Sequence, residues 1–199
     1  MLTKRLFLAL IALVVLAAPT VAQENGTLDE FGLHFQDWFF QGPLNMQDIQ
    51  MQASAEGKGV IVLFEQRGCQ YCALLHAENF TRVEVTDFMK KYFITVQLNM
   101  FGEKPVVDFD GSVLTEDQLT DRWGVQYSPT TLVFASQSAP MTSREDAESF
   151  RLPGYLKPFY YLAAFDYLIS GKWETERFQA YVDDRVAKAI QAGIDPELW

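Results

Sequence analysis

The chain alternates short, unbroken apolar runs with longer stretches in which apolar residues return at helical spacing. Residues 60–64 read Val-Ile-Val-Leu-Phe, which predicts a strand buried on both faces. Ahead of it, Asn45 can cap a helix to about Glu56, with Met46 and Ile49 inward and Gly57 or Gly59 ending it. Residues 71–91 predict a helix bent near Asn79, Phe80 and Thr81. Residues 92–99 form a second β-branched and aromatic run, and the helix between the two runs is a crossover that makes the strands parallel. Asp110-Gly111, between apolar residues 106–109 and Val113, predicts a hairpin. Thr115 with Gln118 reads as a capping box for a helix to about Trp123, before Gly124. Residues 130–135, after Pro129, are a third buried strand. Residues 136–148 are polar and irregular, and residues 150–152 predict a fourth strand with a turn at Gly154. Residues 159–169 form an apolar helix. After Gly171 a last helix groups Phe178, Tyr181, Val182, Val186 and Ile190 on one face, expected to pack on the core, with a partner or dimer face as the alternative. Near the start, Phe31, Phe35, Trp38 and Phe39 recur at helical spacing and predict a short helix over the core edge, broken at Pro43.

The first 22 residues carry a different pattern. Lys4 and Arg5 precede an apolar run at 6–18, followed by Pro19-Thr20-Val21-Ala22. This is the layout of a secretory signal cleaved after Ala22, and the run falls short of the roughly 20 residues that span a bilayer. The rival reading is an uncleaved N-terminal anchor. The later apolar stretch at 159–169 is short and interrupted by Asp166, so no stable membrane insertion is expected after cleavage. Losing Lys4 and Arg5 takes the formal charge from −10 to about −12. That balance argues against nucleic acid and anionic membrane as partners.

The chain has two cysteines, Cys69 and Cys72, separated by Gln70-Tyr71. They fall where the first strand gives way to a helix. Two thiols three positions apart can close a disulfide across one helical turn. At a helix N-terminus the first thiol sees the positive end of the dipole, and its pKa falls. The thiolate is the attacking species in thiol–disulfide exchange, and the second thiol resolves the mixed disulfide. One vicinal pair is too few for a disulfide-built scaffold.

Strand, Cys-x-x-Cys at a helix start, strand, helix, then Tyr127-Ser128-Pro129-Thr130 leading into a strand: this order resembles the thioredoxin fold over roughly residues 58–169. Residues 64–72, Phe-Glu-Gln-Arg-Gly-Cys-Gln-Tyr-Cys, followed by Gly154-Tyr155-Leu156, look like the exported thioredoxin-related proteins of the SoxW type. The resemblance implies an α/β, three-layer thioredoxin-like fold, with a central mixed sheet flanked by helices and with N- and C-terminal helical extensions. The expected organisation is a signal peptide at 1–22, an N-terminal helical extension at 23–57, a thioredoxin-like domain at 58–170 with an insertion near 100–115, and a C-terminal helix at 171–199. By resemblance Pro129 is the cis-proline, and Ser128 before it offers backbone groups to a substrate segment by strand addition.

The chain departs from standard thioredoxin at two positions. Gly68 stands where tryptophan usually precedes the first cysteine, and Leu63 replaces the buried acid of the strand. Glu65, two residues on and so on the same strand face, either takes over proton transfer or is a solvated acid at the strand end. Arg67 places a positive charge near Cys69, and Tyr71 lies between the cysteines. With no histidine in Gln70-Tyr71, the Cys69 pKa is expected below the free value of about 8.5 but not as low as about 3.5, and the site reducing or intermediate. The resemblance implies a periplasmic protein-disulfide oxidoreductase without a cofactor. It would reduce disulfides of exported proteins and draw electrons from a membrane donor of the DsbD or CcdA kind. The alternatives are an oxidase or isomerase, or a thiol-based copper-handling or docking module. Zinc would need four ligands, and the chain offers the cysteine pair with His34 and His76, the latter read as a solvated or packed helical histidine.

Overall fold

The computed structural model describes residues 28–136 and 140–199. The expected signal peptide and the lead-in at 23–27 lie outside the described residues. Asn45 caps α1 (Met46–Ala55) by accepting from the backbone N–H groups of Gln47 and Asp48. β1 (Gly59–Glu65) is buried along its whole length. A short helix, α2 (Gln70–Leu74), continues as a π-turn over Leu75–Asn79 and breaks before α3 (Val83–Tyr92), close to the expected bend. β2 (Phe93–Asn99) follows, then the hairpin β3 (Pro105–Val107) and β4 (Val113–Thr115), and the Thr115–Gln118 capping box opens α4 (Glu116–Arg122). The chain then runs through β5 (Thr130–Phe134), α5 (Arg144–Ala147), β6 (Phe150–Pro153), α6 (Pro158–Ile169) and α7 (Phe178–Gln191).

The central sheet has the order β2-β1-β5-β6. β1 and β2 are parallel, joined by the α2–α3 crossover, while β5 runs antiparallel to β1 and β6 antiparallel to β5. Because strand side chains alternate, β1 divides the core in two. Val60, Val62 and Phe64 pack with Met46 and Ile49 of α1, Leu119 of α4 and Trp123. Ile61 and Leu63 face the other way, against Leu75, Met89 of α3, and Tyr161 and Phe165 of α6. Glu65 continues this second series, which turns it toward the crossover helix. The architecture is the α/β thioredoxin-like fold, a mixed four-stranded sheet between helices.

Two expectations are corrected. The aromatic run at 31–39 is not a helix. The Asp29 carboxylate accepts from the N–H groups of Phe31 and Leu33, Gly32 takes φ +78°, and a bridge pairs Leu28 with His34. These local bonds give the backbone an alternative to helix, and tertiary contacts bury Phe39 and half-bury Phe31, Phe35 and Trp38 instead. The strap at 28–45 crosses the sheet edge, with Phe39 in the core and the Phe40 N–H donating to the Thr95 carbonyl of β2. Among the described residues, the N-terminal extension is therefore helical only in α1. On α7 the buried residues are Tyr181, Val182 and Ala189, with Ile190 exposed. The inward stripe runs through 182, 186 and 189, and Ile190, about 40° beyond Val186 and about 80° from Val182, falls at its outer edge. Among the described residues no helix is long and apolar enough to cross a membrane.

Candidate functional site

β1 delivers the chain to a tight turn at its C-terminal end. Gly68 adopts φ +72°, the left-handed region that favours glycine, which gives a backbone reason for glycine immediately before Cys69. Cys69 is the N-cap of α2, with extended backbone, and its Sγ accepts from the Cys72 N–H at 3.0 Å. The two cysteines form a disulfide with Cα atoms 5.2 Å apart. Their burial is unequal: Cys69 is 8% exposed and Cys72 1%. Of the two buried cysteines, Cys69 is the more open to an incoming group.

The loop before β5 closes the site from the other side. The Ser128–Pro129 bond is cis, as expected. The loop is held by the Thr130 hydroxyl donating to the Tyr127 carbonyl (2.7 Å) and by the Gly154 N–H donating to the Pro129 carbonyl (2.7 Å). Ser128 Oγ lies 3.0 Å from Cys72 Sγ and 3.3 Å from Cys69 Sγ. The resemblance assigned Ser128 a backbone role, and its hydroxyl on both sulfurs is an addition that only the geometry reveals.

Glu65 is not a solvated acid. It is 1% exposed, as is His76, and His76 Nε2 lies 3.2 Å from both carboxylate oxygens. The Gln97 amide donates to Glu65 Oε2 (2.5 Å) and to the His34 carbonyl (2.6 Å). The proton arrangement follows from donor chemistry. Trp38 Nε1 can only donate, and it meets Gln36 Oε1, so the Gln36 amide N–H faces His76 Nδ1 at 3.1 Å. His76 Nδ1 then accepts, and Nε2–H donates to Glu65. The ring is enclosed by Phe39 and Phe80. None of the hydrogen bonds of Glu65 among the described residues reaches a sulfur. His76, read from the sequence as solvated or packed, is packed and belongs to this network. The parity of Glu65 with Leu63 was the sequence signal for it, and it spoke for Glu65 alone.

Arg67 and Tyr71 also find their own partners. Arg67 Nε donates to the Phe31 carbonyl at 3.0 Å, and its stem packs over Gly32. It ties the strap to the turn before Cys69, and among the described residues none of its hydrogen bonds reaches a sulfur. Tyr71 is 60% exposed and stacks on Tyr155 at 6.4 Å between centroids. The Tyr155 hydroxyl donates to Glu78, and burial together with that carboxylate pushes it above the ordinary phenol range. Tyr155, unassigned from the sequence, completes an aromatic pair beside the disulfide. Among the described residues no group of three or more His, Cys, Asp or Glu side chains is placed to hold a metal ion.

Comparison with known proteins adds the following. A thioredoxin-fold protein from Helicobacter pylori superposes with a TM-score of 0.52 at 20% identity, covering 66% of this chain and 86% of its own. A thioredoxin from Thermus thermophilus gives a TM-score of 0.50 at 16% identity, covering 65% and 88%. At these identities the likeness is one of fold. No curated protein matches the chain. The thioredoxin-like domain family matches residues 46–169, from the start of α1 to the end of α6, and so takes in the sheet, the cysteine pair and the cis-proline loop. On that match, well over half of its length, the chain belongs to the thioredoxin-like domain family.

Proposed function

We propose that this protein is an exported thiol–disulfide oxidoreductase that reduces disulfides of partner proteins. The observation that carries the reading is the pairing of two unequally buried cysteines at a helix start, set against the Ser128–Pro129 loop. In the reduced protein Cys69, the less buried of the two, attacks as thiolate. One partner sulfur bonds to Cys69 Sγ, and the other leaves with the electron pair of the broken bond. Cys72 then attacks Cys69 Sγ, closing the disulfide and releasing the second partner thiol. Two electrons pass to the partner, whose two sulfurs leave as thiols. The Ser128 backbone offers the edge on which an extended partner segment can lie.

Export, periplasmic location and a membrane electron donor of the DsbD or CcdA kind follow from the N-terminal pattern and the SoxW-type resemblance, and they belong to the same proposal. The absence of histidine between the cysteines favours a reducing site. The test is the equilibrium potential of the Cys69–Cys72 pair against a dithiothreitol or glutathione series. A value near the thioredoxin range, about −270 mV, supports the reductase. A value near about −120 mV makes the protein an oxidant of exported proteins and overturns the direction proposed.

A further inference from the structure

We infer that the Ser128 hydroxyl is a catalytic group of the resolving step, donating its hydrogen bond to Cys72 as that buried sulfur becomes a thiolate. The inference rests on the exchange chemistry proposed above and deepens it.

The two sulfurs are not equally provided for. Cys69 Sγ is the N-cap of α2 and accepts from the Cys72 N–H at 3.0 Å. Charge on Cys69 thus has a donor that is part of the backbone. Cys72 is 1% exposed, so charge on it has little access to water. Among the described residues, the hydrogen-bonding group at Cys72 Sγ is Ser128 Oγ, at 3.0 Å. A disulfide sulfur carries no hydrogen, so in this state the hydroxyl is the donor. It has one hydrogen and two sulfurs in reach, the nearer being Cys72.

A buried thiolate without a donor carries the full desolvation penalty of the ion. In the resolving step the Cys72 proton passes to the buffer, and Cys72 Sγ bonds to Cys69 Sγ. The bond from Cys69 to the substrate sulfur breaks, and its electron pair leaves on the substrate thiolate. Attack by Cys69 does not create charge on Cys72. Loss of the hydroxyl should therefore slow the second step selectively.

The experiment uses the full chain, pre-reduced and mixed with dithiobis(nitrobenzoate), which releases one nitrothiobenzoate at each step. Cys72→Ser, which stops after the first release, identifies the first phase. Ser128→Thr and Ser128→Val have nearly the same shape and differ in the hydroxyl. In Ser128→Val the second phase is expected to slow about 10- to 100-fold relative to Ser128→Thr, the loss for a hydrogen bond to a charged group. The first phase should differ less than about threefold between them, well under that loss. Equal second phases in Thr and Val, or equal slowing of both phases, would overturn the role of Ser128. If the wild-type chain itself releases no second equivalent, the exchange reading fails instead, so the two failures are separable.

Discussion

Replacing His76 by leucine should cost the protein about 3–5 kcal/mol, and replacing Glu65 by leucine a similar amount. Both side chains are 1% exposed, and Nε2 of the histidine faces both carboxylate oxygens at 3.2 Å. Removing His76 deletes a hydrogen bond to a charged group, about 1.5–3 kcal/mol. It also leaves the Glu65 carboxylate short of a donor in a buried site, which adds about 1–3 kcal/mol. Gln97 still donates to Glu65, and Gln36 still accepts from Trp38, which tempers the loss. Against a total stability of about 5–15 kcal/mol, such a loss is easily measured. The decisive variant is the double replacement Glu65→Leu/His76→Leu. It removes both polar groups, and an apolar pair of similar volume can be nearly neutral. Urea unfolding of the four proteins at equal m-values gives the cycle. The double variant should cost no more than either single one, a coupling of at least about 3 kcal/mol. Additive single losses, with coupling within about 0.5 kcal/mol of zero, would refute the view that these residues act as a pair.

Two further outcomes follow from other parts of the fold. Asn45→Ala removes the acceptor for the Gln47 and Asp48 N–H groups and should cost about 1 kcal/mol in urea unfolding. A loss under about 0.3 kcal/mol would mean that the cap is replaced by water. Burial alone would raise the Glu148 carboxyl, but hydrogen bonds from Arg151 and Arg144 outweigh it and hold the group below its ordinary value of 4.5. A lowered folded pKa gives stability that is present above the unfolded value and lost as pH falls through the folded one. Glu148→Gln should therefore destabilise the protein at neutral pH and converge with the wild type in acid, and a pH-independent difference would contradict this assignment.

The chemistry was legible in the sequence to the extent that it is local. Cys69 and Cys72 sit three apart after an unbroken apolar run, and Ser128-Pro129 leads into another. Those short patterns locate a strand, a helix start and a loop. Glu65 was legible as a residue on the Leu63 face of β1, but its partners come from 11 positions away on the π-turn and 32 away on β2. Nothing in the spacing of His76 names Glu65. The same holds for Ser128, whose hydroxyl reaches Cys69 across 59 positions because β5 pairs antiparallel with β1.

By itself the sequence determined the elements whose signals are complete within a few residues. Those are the Asn45 cap, the Thr115–Gln118 box, the hairpin around Asp110-Gly111, the unbroken apolar run at 60–64 in β1 and the crossover that makes β1 and β2 parallel. Hydrogen bonds between near neighbours and the alternation of side chains act at that range. Only the tertiary structure decided the rest. The aromatic spacing at 31–39 is satisfied by a strap and not by a helix, because Asp29 bonds the backbone locally while the core edge supplies the burial. Arg67 goes to the strap and Glu65 to His76, because burial selects among partners that only the folded sheet brings within hydrogen-bond reach.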